Sequence, residues 1–138
     1  MTEAVDAVLA RLEWSDDCGA ARVELRPGVW LDLLVWVDEE DVSREERTWR
    51  AGLALARLDA READYRLWSA ERLAGDNWSD PPLTVDEIFE LLTVASLNTF
   101  DDGVASLYWD DQEELFGGHN VLTRLDRDGR PVAVDMEG

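Results

Sequence analysis

The sequence predicts an α+β fold: a mostly antiparallel sheet of about six strands, with a long central helix and shorter helices packed on one face. Two observations carry this. Strand-like apolar runs bounded by Pro, Gly, Asn and Asp fall in groups at the two ends of the chain. One uninterrupted helical pattern separates those groups, and strands gathered on either side of helices favour antiparallel pairing.

In chain order, Val5, Val8, Leu9 and Leu12 recur at helical spacing and predict an amphipathic helix over much of Thr2–Glu13. Ser15–Gly19 reads as a loop. Ala21–Arg26 and Val29–Val37 read as strands joined at Pro27-Gly28, a hairpin signal. The second run is the most hydrophobic stretch in the chain, so it belongs in the middle of the sheet. Ser43 followed by Glu46 makes a capping box, and the helical signal continues from Arg44 to about Ala74. A stripe of Trp49, Leu53, Ala56, Ala60, Ala63, Leu67, Ala70 and Ala74 predicts its packing face, with Leu55, Leu58, Tyr65 and Trp68 on other sides. A straight helix of that span would be about 45 Å long. It therefore either breaks around Asp59–Asp64 or extends with a second subunit covering part of it, and a long helix lying across the sheet is favoured.

The segment from Gly75 to Pro82 ends the helix, and Thr84 with Glu87 caps a short one through about Leu92. Val94–Phe100 and Val104–Trp109 flank the turn Asp101-Asp102-Gly103. Asn120–Leu125 and Pro131–Met136 flank Asp128-Gly129 as a last hairpin. Residues 1–138 form a single domain of ordinary size. Trp30, Trp36, Trp49 and Trp68, four of the seven tryptophans, are expected in the core.

Thirty-two acidic residues face thirteen arginines and no lysine, a formal charge of -19. Such a balance argues against direct nucleic-acid binding, which needs cations to displace phosphate counterions, and against anionic membranes. It favours steering toward a basic protein. Between Ser43 and Ala74 seven arginines oppose six acids, so the helix is nearly neutral and the strands and loops carry the negative field. Two clusters stand out: Asp38-Glu39-Glu40-Asp41, and Asp110-Asp111 with Glu113-Glu114. No signal-peptide start or long apolar run precedes the first charges, so a cytoplasmic protein is expected.

Catalytic sets are sparse. Cys18 is the single cysteine and His119 the single histidine, and neither sits in a nucleophile signature. A P-loop needs a lysine that the chain lacks. Asp110, Asp111, Glu113 and His119 form the one constellation that could hold a hard cation, without the ligand order of an EF-hand. No cofactor is expected.

Asp76-Asn77-Trp78 after the long helix, the helix capped at Thr84, Asp101-Asp102-Gly103 between strands, and Tyr108-Trp109-Asp110-Asp111 leading to Leu115-Phe116-Gly117-Gly118-His119 resemble a bacterial family of unknown function, domain of unknown function family 2262. The likeness covers about the last two-thirds of the chain. Gly117 stands where family members usually have an aromatic residue. The resemblance implies a fold and no particular activity.

Three functional readings follow. The first is a non-enzymatic, immunity-like binding protein that meets a basic toxin or nuclease. It would use Asp38, Glu39, Glu40, Asp41, Asp110, Asp111, Glu113 and Glu114, with Trp109 or Phe116 as apolar anchor. The second is a metal-dependent enzyme built on Asp110, Asp111, Glu113 and His119. The third is a homodimer associating through the Ala56–Ala63 part of the long helix.

Overall fold

The computed structural model describes residues 1–39, 41–74, 81–110 and 120–137. Along the chain they form α1 (Val5–Ala10), β1 (Glu13–Trp14), β2 (Cys18–Arg26), β3 (Val29–Trp36), α2 (Arg44–Leu73), α3 (Val85–Leu91), β4 (Thr93–Thr99), β5 (Ala105–Asp110), β6 (Asn120–Leu125) and β7 (Pro131–Glu137). The α+β architecture is as the sequence predicts, with α2 continuous and the sheet one strand larger.

Seven strands lie in chain order in one sheet. Only β3 and β4 run parallel, because α2 and α3 carry the chain back between them; the other neighbours are antiparallel. The unanticipated strand is β1. Two residues are too few to show a period, and its existence is tertiary: Glu13 and Trp14 pair with Ala20 and Gly19. The Trp14 ring lies flat on Gly19, where a Cβ would come within 2.9 Å of it.

One face of the sheet forms the core. Leu33, Leu97, Leu107 and Thr123 are consecutive partners across β3 to β6, and each is 0% exposed. Helix α2 packs over this layer with Ala51, Leu55, Leu58, Glu62, Tyr65 and Ser69 buried. That corrects the sequence reading of α2. The alternating stripe from Trp49 to Leu67 faces outward, and its six members are exposed. Leucine and tyrosine bury far more apolar area than alanine, so the face carrying Leu55, Leu58 and Tyr65 turns inward. Trp30 and Trp49 are likewise exposed, at 47% and 62%, and Trp36 and Trp68 are half-buried.

Polar contacts fix the helix on the sheet. Ser43 Oγ accepts from the Glu46 amide, while the Glu46 carboxylate pairs with Arg50 and leaves the capping box half made. The box at Thr84 and Glu87 is complete. Near the far end, Ser69 donates to the Tyr65 carbonyl and contacts Thr123, whose Oγ1 also accepts from the Trp109 indole. Tyr65 donates to the carbonyl of Gly129, a glycine at φ 80° whose added Cβ would strike Arg57. Glu62, 4% exposed, lies 3.3 Å from both Arg26 of β2 and Arg66.

Truncating Leu58, which is 0% exposed, to alanine should lower the unfolding free energy by about 3 kcal/mol. Urea denaturation measures it; a loss below about 1 kcal/mol, the scale of a surface change, would contradict the inward face assigned to α2.

Candidate functional site

Beyond β3 the chain leaves the sheet through Val37, whose amide donates to the Asp17 carbonyl at 2.8 Å. It then turns through Asp38–Asp41 into α2. The Asp38 and Glu39 amides find their acceptor on another loop. Asp101, first residue of the β4–β5 turn, accepts from the Asp38 amide at 2.7 Å and the Glu39 amide at 2.5 Å through one carboxylate oxygen. Arg47, in the second turn of α2, donates from Nε to the other oxygen at 2.6 Å and from Nη2 to the first at 3.1 Å. Arg47 Nη2 also donates to the Glu39 carbonyl, and Arg50 to the Asp101 carbonyl.

The pair is buried, with the Arg47 side chain 9% exposed and that of Asp101 1%. Burial alone pushes the Asp101 carboxyl up. Hydrogen bonds from Arg47 and the Glu39 and Asp38 amides outweigh it and hold the group below the ordinary aspartate value of 3.8. The same hydrogen bond to Asp101 raises Arg47, against the opposing effect of burial.

Three loops converge at this end of the sheet. The β1–β2 loop brings Asp16 and Asp17, the β3–α2 turn brings Asp38, Glu39 and Asp41, and the β4–β5 turn brings Asp102. All six side chains are exposed, and none is in an ion pair among the described residues. Arg44 sits in this region with its guanidinium 4.6 Å from the centre of the Trp14 ring. A carboxylate rim of this kind, fixed from below, can offer charge and hydrogen-bond acceptors to cations.

Among the described residues, those selected from the sequence do not share one surface. Asp38, Glu39 and Asp41 lie on the rim. Asp110 ends β5 opposite Thr93, at the other end of the sheet. Strand β4 has seven residues, which puts the two ends about 20 Å apart at roughly 3.3 Å per residue. Trp109 is a core residue, 5% exposed, with its indole bonded to Thr123, so it does not serve as an exposed anchor. Glu40, Asp111, Glu113, Glu114, Phe116 and His119 lie outside the described residues. Among the described residues, no group of three His, Cys, Asp or Glu side chains could hold a metal ion.

Sequence reasoning missed Asp16, Asp17 and Asp102 as rim members, and Asp101 as the hub. A signal for two of them was present: the hairpin at Pro27-Gly28 places whatever precedes β2 beside whatever follows β3.

Beside the rim a cleft of about 270 Å³ opens between α2 and the β4–β5 and β6–β7 turns. Trp49, Arg50, Arg57, Phe100, Asp102 and Arg127 are among the residues lining it. No described helix is long and apolar enough to cross a membrane. Comparison of the chain with protein families, curated proteins and solved structures finds no match.

Replacing Asp101 by Asn keeps the shape but leaves Arg47 as an unmatched buried charge, which should cost about 3 kcal/mol at neutral pH. Because the folded-state carboxyl is held low, its contribution is complete above 3.8 and is lost as pH falls through the lower folded value. The stability gap between wild type and Asp101→Asn should therefore be constant at neutral pH and shrink only in the acid range below 3.8. Urea titrations from neutral pH downward measure this, and a gap that closes well above that range would contradict it.

Proposed function

We propose that this chain is a non-enzymatic binding protein, immunity-like in character, that docks a basic protein against the acidic rim. The observation carrying this reading is the gathering of Asp16, Asp17, Asp38, Glu39, Asp41 and Asp102 on three loops at one end of the sheet, exposed and outside any ion pair among the described residues. A random surface charge needs no such support. Here a buried carboxylate and guanidinium pin the turn that bears three of the six, which lowers the entropy lost on docking. The overall charge of -19 adds long-range attraction to a cationic partner and repels nucleic acid and other acidic surfaces.

The partner sought is a protein with a cluster of Arg or Lys side chains, the arrangement found on proteins that themselves grip phosphate backbones. A basic toxin or nuclease answers that description. Occupying its cationic surface would block its substrate by competition, with no chemistry required of the inhibitor.

The test compares wild type with the variant Asp16→Asn, Asp38→Asn, Glu39→Gln, Asp41→Asn, which leaves Asp101 and Arg47 in place. Both are used to capture partners from the source cell, and association with the captured protein is then followed at several salt concentrations. The wild-type association rate should fall steeply as ionic strength rises. The variant should associate about tenfold more slowly with little change in dissociation. Equal rates for the two proteins, or association indifferent to salt, would remove the rim from any docking role.

A further inference from the structure

The outer face of α2 carries an apolar seam that the described residues leave uncovered. Trp49, Leu53, Ala56, Ala60, Ala63 and Leu67 recur at alternating steps of four and three, the heptad spacing by which two helices interlock. All six are exposed, with Trp49 at 62%, Leu67 at 43% and Leu53 at 38%. The seam points away from the sheet, opposite the face formed by Leu55, Leu58 and Tyr65, and runs about 27 Å from Trp49 to Leu67 at about 1.5 Å per residue.

We propose that a second copy of this chain covers the seam, the two α2 helices packing antiparallel and crossing near Ala60. The charges beside the seam select both the occupant and its direction. On one flank, at successive heptad positions, stand Arg50, Arg57, Asp64 and Glu71: two cations followed by two anions. Antiparallel pairing about Ala60 sets Arg50 beside Glu71 of the second copy and Arg57 beside its Asp64. Two-fold symmetry makes each contact twice.

A parallel pair would instead set Asp64 beside Asp59 of the second copy, a like-charge contact. It would also set Glu71 beside Arg66, whose guanidinium is already held by Glu62 and Phe89 of its own chain. The antiparallel pair makes both contacts of the flank attractive. Asp64 and Glu71 are exposed. Arg57 uses one Nη1 donor, on the Arg127 carbonyl, and Arg50 uses Nη1 on the Asp101 carbonyl and Nη2 on Glu46 of its own helix. A guanidinium has five N–H donors, so both keep donors for a second copy. The apolar residues fit the same arrangement. Alanines at 56, 60 and 63 let the helices approach closely at the crossing, while Leu53 of each copy meets Leu67 of the other.

The association does not use Asp16, Asp38, Glu39 or Asp41, so its failure would leave the docking role of the rim standing, and the reverse. Light scattering on the whole chain at tens of micromolar should give twice the 15.6 kDa chain mass. Ala60→Glu, at an exposed position, should give the single-chain mass with an unchanged far-ultraviolet circular dichroism spectrum. Direction is read by cross-linking in a Cys18→Ser background. Leu53→Cys mixed with Leu67→Cys should form a mixed disulfide dimer, and neither should link to itself. A monomeric wild type, a dimer indifferent to Ala60→Glu, or self-linking of Leu53→Cys would each overturn the proposal.

Discussion

Removing the Asp101 carboxylate and the Arg47 guanidinium from water is unfavourable by several kcal/mol per ion, and it succeeds here because the carboxylate is fully met. Four donors converge on its two oxygens: two from the guanidinium and two from the backbone of Asp38 and Glu39. Much of one end of the molecule depends on that convergence. It fixes where the chain leaves the sheet after β3, the direction in which α2 sets off, and the turn that reverses β4 into β5. A neutral asparagine could keep the shape but not offset the guanidinium charge.

The position of that pair also explains how so acidic a rim can persist. Exposed carboxylates close together repel one another, and a flexible turn would relax by spreading them. Amides held by Asp101 cannot spread. Arg47 further offsets the repulsion from below, since Asp38 and Asp41 both stabilise its charged form. The long helix meanwhile presents a nearly neutral, partly apolar outer surface. Trp49, Leu53 and Leu67 thus lie exposed on the back of α2, while the acidic loops lie at the end of the sheet.

Much of this was legible in the sequence. The continuous α2, the cap at Thr84, the hairpins at Pro27-Gly28 and Asp128-Gly129 and the central place of β3 all follow from local pattern and turn chemistry. What local pattern could not decide was which of two helix faces turns inward, since both repeat at the helical period. Side-chain size decided it, and the alanine-rich stripe went to solvent. The sequence offered Trp109 as a contact anchor, and its bond to Thr123 is a relation between strands that no spacing reveals. The two acidic clusters were joined in the functional reading because they share a composition. Strand direction sets Asp110 at the opposite end of the sheet from Asp38, Glu39 and Asp41, and it gathers Asp16, Asp17 and Asp102 around those three instead.

The lone parallel pairing in the sheet has a kinetic consequence. Strands β1 to β3 and β4 to β7 are each simple meanders that can zip from local turns. Joining them requires Asp32 to find Ser96 and Val35 to find Thr99, across a loop of more than fifty intervening residues. That closure has a large entropic barrier unless the intervening chain is already compact. Condensed α2 and α3 would shorten the search, so the late event in assembly is the meeting of two preformed ribbons along β3 and β4. Until then each ribbon carries one bare edge open to mispairing with another molecule.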